Sequence, residues 1–94
     1  MSQTIPDKIV TPIWQSLNTI SSIPIGTEMI VHNKSTSLMI LAEGTQPDVN
    51  SLDGVPLTSY RDNGASRIVA SGSLEIWVRI KGNTSEGRLS VQEV

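Results

Sequence analysis

The sequence contains no cysteine and no phenylalanine. Without cysteine there is no disulfide framework and no thiolate to hold zinc or an iron-sulfur cluster, so nothing covalent staples the core. Aromatic residues make up 3% of the 94 positions, as two Trp and one Tyr. The core must therefore be aliphatic, and the places of the three rings carry information. A single histidine, His32, leaves general-base and metal chemistry without a second partner, and no H-x-H, H-E-x-x-H or D-x-D-x-D-G spacing supplies one. Seven Lys plus Arg against nine Asp plus Glu give a net charge of -2. Phosphate tracking needs clustered positive charge, so nucleic acid is not an expected partner. No stretch approaches the roughly 20 apolar residues of a membrane span, and no membrane partner is expected. The opening MSQTIPDKIVTPIW lacks the basic run and apolar segment of a signal peptide, which leads to the expectation of a cytoplasmic product. The sequons at Asn33 and Asn83 would matter only in a secretory pathway and are read as chance.

A chain this short fills one core, and a domain of its size buries only about 60 to 65% of the surface its unfolded form exposes. Assembly with a partner would relieve that marginality. Residues 1–12 mix polar and β-branched types without periodicity and read as an extended N-terminal arm, followed by one β domain over 13–94. Thr11-Pro12-Ile13-Trp14-Gln15-Ser16-Leu17 suits one short helical turn, with Thr as cap, Pro at the first helical position and Ile13 and Leu17 on one face. From Gly26 onward the pattern is β. Met29 and Val31 alternate with Glu28, Ile30 and His32, and Leu38 to Ala42 is a continuous apolar run fitting a strand buried on both faces. These two are expected to form a hairpin. Thr45 to Leu57 reads as the longest loop system, in which Pro56 confines any strand to an edge. Arg67 to Ala70 suits a short strand. In Leu74 to Lys81 the set Leu74, Ile76, Val78 and Ile80 alternates with Glu75, Trp77, Arg79 and Lys81, and Leu89 and Val91 repeat the pattern after a turn, which predicts a C-terminal hairpin. The expected fold class is all-β: a small antiparallel β-sandwich or barrel with the extended arm and at most one short helical turn.

No catalytic constellation accompanies this pattern. There is no G-x-S-x-G elbow and no phosphate-cradling glycine loop, and Glu43, Asp48, Asp53 and Asp62 sit among turn residues. The expectation is a protein that is not an enzyme and needs no cofactor or metal. Trp77 and Arg79 fall opposite the aliphatic face of their strand, either under another element of the same chain or on a contact surface. Trp, Tyr and Arg anchor interfaces. The candidate protein interface therefore comprises Tyr60, Arg61, Trp77 and Arg79 with Trp14, joined by the arm residues Ile5, Ile9 and Val10, since an arm with few partners of its own can add a strand to a neighbour's sheet.

Three segments carry a resemblance: Ile23-Pro24-Ile25-Gly26-Thr27 leading into a strand and Asn33, then Ile76-Trp77-Val78-Arg79, then Gly87-Arg88-Leu89-Ser90-Val91-Gln92-Glu93. Together they resemble small β-rich structural proteins of tailed bacteriophage virions, over roughly Trp14 to Val94. The resemblance implies a virion component without catalytic residues, first a capsid decoration (cement) protein that binds the major capsid (coat) protein. It would be assembled in the bacterial host cytoplasm as a homo-oligomer, for which a trimer fits capsid symmetry. A tail or tail-fibre attachment component is the alternative within the virion. A small carbohydrate- or receptor-binding module, using Trp77, Tyr60 and Arg79 as a platform, is the alternative of another class.

Overall fold

Alternating strands of this kind must each bury one face. In the computed structural model, which describes residues 5–59, 63–81 and 86–94, they do so in two antiparallel four-stranded sheets. The strands are β1 (Lys8–Val10), β2 (Gln15–Ser16), β3 (Met29–Asn33), β4 (Met39–Glu43), β5 (Val55–Leu57), β6 (Ser66–Val69), β7 (Ile76–Ile80) and β8 (Gly87–Glu93). The first sheet has the order β1-β8-β3-β6 and the second β2-β7-β4-β5. Each keeps two open edges, so of the two forms that the sequence allows the structure is a sandwich and not a closed barrel. Met29, Val31, Leu89 and Val91 from the first sheet meet Met39, Leu41, Val78 and Ile80 from the second in the aliphatic core. Each such side chain, fully buried, contributes about 1.5–3 kcal/mol.

Neither expected hairpin forms. β3 and β4 lie in different sheets, as do β7 and β8. Period-2 alternation tells which face of a strand is buried and is silent about which strand lies beside it. Here the chain leaves the first sheet at Lys34, whose N–H donates to Arg88 O at 3.0 Å, and enters the second at Leu38, whose carbonyl accepts from Lys81 N at 2.9 Å. Asn33 holds this corner from a fully buried position. Its Oδ1 accepts from Ser35 N (2.9 Å) and Ser35 Oγ (2.7 Å), while its Nδ2 donates to the carbonyls of Ser37 (2.7 Å), Leu57 (3.0 Å) and Thr58 (3.0 Å). One side chain thus ties β3 to the end of β5 across the sandwich.

The helix is displaced from its expected place. α1 spans Leu17–Ser21, capped by Ser16, whose hydroxyl accepts from Thr19 N at 3.2 Å, and stopped by Ser22 in the left-handed region. Upstream, Gln15 Oε1 accepts from Thr11 N at 3.1 Å, closing a bend over the residues expected to be helical. Ile13 is left exposed while Trp14 is buried. Asn18 docks α1 onto β7, its Oδ1 accepting from Ile76 N at 2.8 Å and its Nδ2 donating to Ile23 O at 3.1 Å. Leu74, expected in the core set, lies ahead of β7 and is exposed, because β7 begins only at Ile76.

The N-terminal segment is also more integrated than an unpartnered arm. β1 pairs with β8 in the register Lys8↔Leu89 and Val10↔Gly87. Val10 is fully buried and Ile5 packs against the core. The Gln92 side chain imitates a strand backbone toward Ile5: its Oε1 accepts from Ile5 N and its Nε2 donates to Ile5 O, both at 2.8 Å. The segment lacks periodicity because it meets one neighbour along a single edge and, within β1, fully buries only Val10.

Candidate protein interface

The outer face of the second sheet brings together Trp14, Trp77 and Arg79. Ser16 stands opposite Trp77 in the ladder, and Arg79 stands opposite Ile40. The long loop after β4 lies over this face. Trp14 Nε1 donates to Ser51 O at 3.0 Å, and Arg79 Nη1 donates to Val49 O at 3.1 Å and, more weakly, to Ser51 O at 3.5 Å. The Arg79 guanidinium lies 5.9 Å from the centre of the Trp14 ring, within cation-π range. Trp14, Arg79 and Ile40 are all buried as a result. A guanidinium held by backbone carbonyls and an indole face needs no carboxylate, and it turns the loop into a roof. Gly54 lets that loop return to β5, since a Cβ there would stand 2.5 Å from Leu41 O at a φ of +150°.

Of the residues that the sequence pattern nominates for an interface, then, Trp14, Arg79 and Val10 are used within the chain. Arg79 sits on the face that its periodicity assigns, and the element that covers it together with Trp14 is the chain's own loop. Trp77 is half-buried and donates from Nε1 to Gly44 O at 2.8 Å, so the Trp77 and Arg79 platform is already engaged with the loop ends. Tyr60 and Arg61 lie outside the described residues. Ile5 is partly buried, and Ile9 remains 41% exposed.

The first sheet is different. Its outer face carries Ile9 opposite Arg88 on β8, then a row in which Gln92, Ile30 and Ile68 stand side by side on β8, β3 and β6. The next row is Ser90, His32 and Ser66, with the His32 Nδ1 and Ser66 Oγ hydrogen-bonded. Ile30 is 40% and Ile68 60% exposed, and among the described residues no helix or strand lies over this face. A flat surface with aliphatic residues in its middle and polar groups around them is the composition of an interface patch. Strand alternation places Ile30 on the outer face with Glu28 and His32 but does not single it out. Ile68 is found only through its register with Ile30.

Among the described residues no three His, Cys, Asp or Glu side chains gather as metal ligands, and no helix is long and apolar enough to cross a membrane. The chain matches no family model, no curated protein and no solved structure.

Proposed function

We propose that this protein is a non-enzymatic structural component of a tailed bacteriophage virion, of the capsid decoration type, which docks the outer face of its first sheet onto the coat lattice. The observation that carries the reading is the unequal treatment of the two outer faces. One is roofed by the chain's own loop, and the other is left open with Ile9, Ile30 and Ile68 exposed. Exposed aliphatic side chains on one sheet would give a modest single contact, to which linkage and multivalency add where a lattice offers many equivalent sites. The resemblance of the segments on β7 and β8 to small β-rich virion proteins also supports the reading. Self-association around a capsid symmetry axis, as a trimer, belongs to the same proposal.

Cosedimentation with purified expanded capsids tests it. The protein is expected to bind, and the Ile30→Ser, Ile68→Ser double variant is expected to lose binding while keeping its melting temperature. Virions without the protein should be more sensitive to heat and chelators. Failure of the protein to bind, together with unchanged virion resistance, would overturn the proposal, and recovery in purified tails rather than heads would transfer the role to the tail.

A further inference from the structure

On the side of the sandwich where β6 ends the first sheet, a cleft of about 260 Å³ opens between the sheets. Leu41, Val55, Val69 and Ile76 supply its aliphatic wall, and Arg67 and Glu43 stand in its lining. Among the described residues the outer backbone edge of β6 takes part in no backbone hydrogen bond. The opposite edge strand of this mouth, β5, carries Pro56 at its centre, which removes a donor and bars a second strand there. β6 has no proline and no bulge in its pairing with β3, where Arg67 stands opposite Val31 and Val69 opposite Met29. Both partners of these pairs face the core side, so Arg67 projects into the mouth of the cleft and not onto the outer face.

A charge pointing inward at a sheet edge acts as a filter. An aliphatic strand laid against β6 would strip water from the guanidinium without compensating it, which costs more than the ladder bonds return. Among the described residues Arg67 forms no ion pair, and the acid across the cleft, Glu43, is engaged by Leu74 N at 2.8 Å. We infer that the β6 edge and its cleft form a strand-addition site for an extended segment of a partner protein that carries an acidic residue opposite Arg67 and an aliphatic residue two positions away, opposite Val69. Both side chains then lie on the same face of the incoming strand. The acid meets Arg67, and the aliphatic side chain fills the cleft against Leu41 and Ile76. Main-chain bonds give the affinity, while the charge gives the selectivity. This site is on the edge of the sheet and does not depend on the coat-docking proposal for its outer face.

Isotope-labelled protein titrated with the peptide Thr-Thr-Glu-Thr-Val-Thr-Thr, and with its Lys-for-Glu counterpart, provides the test. The Glu peptide at millimolar concentration should shift the amide resonances of Arg67, Ile68 and Val69, with at least about ten-fold weaker binding of the Lys peptide. The exposed Arg67→Glu variant should keep its fold and invert that preference, whereas Ile30→Ser, on the outer face of the neighbouring strand β3 and outside the cleft lining, should leave peptide binding unchanged. Equal binding of the two peptides, no shift in β6, or a concentration-dependent shift of β6 without peptide, which would mark a second copy as the occupant, would each overturn the inference.

Discussion

Asn33→Ala is the substitution that most directly tests how the two sheets are held in register. The side chain is fully buried and serves three carbonyl acceptors and two donors of Ser35. Its amide has two protons for three carbonyls, so one bond is shared and the loss is worth about four hydrogen bonds. Each contributes about 0.5–1.5 kcal/mol net, and the carbonyls of Leu57 and Ser37 would be left without this donor. Water or the Ser35 hydroxyl would satisfy some of them, giving an expected loss of about 3 kcal/mol. A chain of this size has a total stability of about 5–14 kcal/mol, so the variant should still fold but melt about 12–24 °C lower. Urea unfolding followed by tryptophan fluorescence measures the effect, with Asn50→Ala, at an exposed loop position, as a control expected within about 0.5 kcal/mol of the parent. Asn33→Asp sharpens the test. The introduced carboxyl keeps the Ser35 bonds but turns an oxygen toward three carbonyls, so the fold disfavours its ionised form and raises its pKa. Its stability should therefore recover as the pH falls from 7 toward 4. A loss below about 1 kcal/mol for Asn33→Ala would refute the view that this corner is held by its side chain.

Val10→Ala should cost about 2 kcal/mol in the same assay, because β1 inserts a fully buried side chain into the core; an unchanged midpoint would return residues 8–10 to the status of a free arm. Arg79→Met should release the loop that it holds through Val49 O and Ser51 O. Limited proteolysis is expected to cut between residues 45 and 54 faster in the variant, with about 2 kcal/mol of stability lost, and an unaltered cleavage rate would contradict the role of Arg79 as the roof's fastening. Thr58→Val should stabilise the protein by about 1 kcal/mol, since the Thr58 hydroxyl is buried without a partner among the described residues and a methyl group of similar size removes the unsatisfied donor. A destabilised variant would show that the hydroxyl has a partner after all.

The strands that alternate cleanly are legible in the residue pattern alone. Met29 and Val31, Ile76, Val78 and Ile80, and Leu89 and Val91 all face the core as the period of two requires. The edge position of β5 follows from Pro56, whose missing N–H any inner strand would need. Leu74 misleads because four alternating residues continue the same pattern whether or not the first has a ladder partner. The candidate interface is legible only in part. Periodicity puts Trp77 and Arg79 on the correct face, yet what covers that face is a loop whose carbonyls carry no side-chain signature, so Arg79 looks available when it is buried. Asn33 looks like a turn residue, because an asparagine that caps a turn and one that bridges two buried elements are the same letter, and nothing in the pattern marks Asn18 for its docking role.

The sequence by itself determined that this protein is β-rich, aliphatic at its centre and without a covalent staple, because hydrophobic periodicity and composition are local properties of the chain. Which strands are neighbours, which outer face stays open and which side β6 leaves unpaired were decided only in the tertiary structure. Those choices rest on short corners that can cross between sheets or reverse within one. Here a single buried amide, Asn33, holds the crossing.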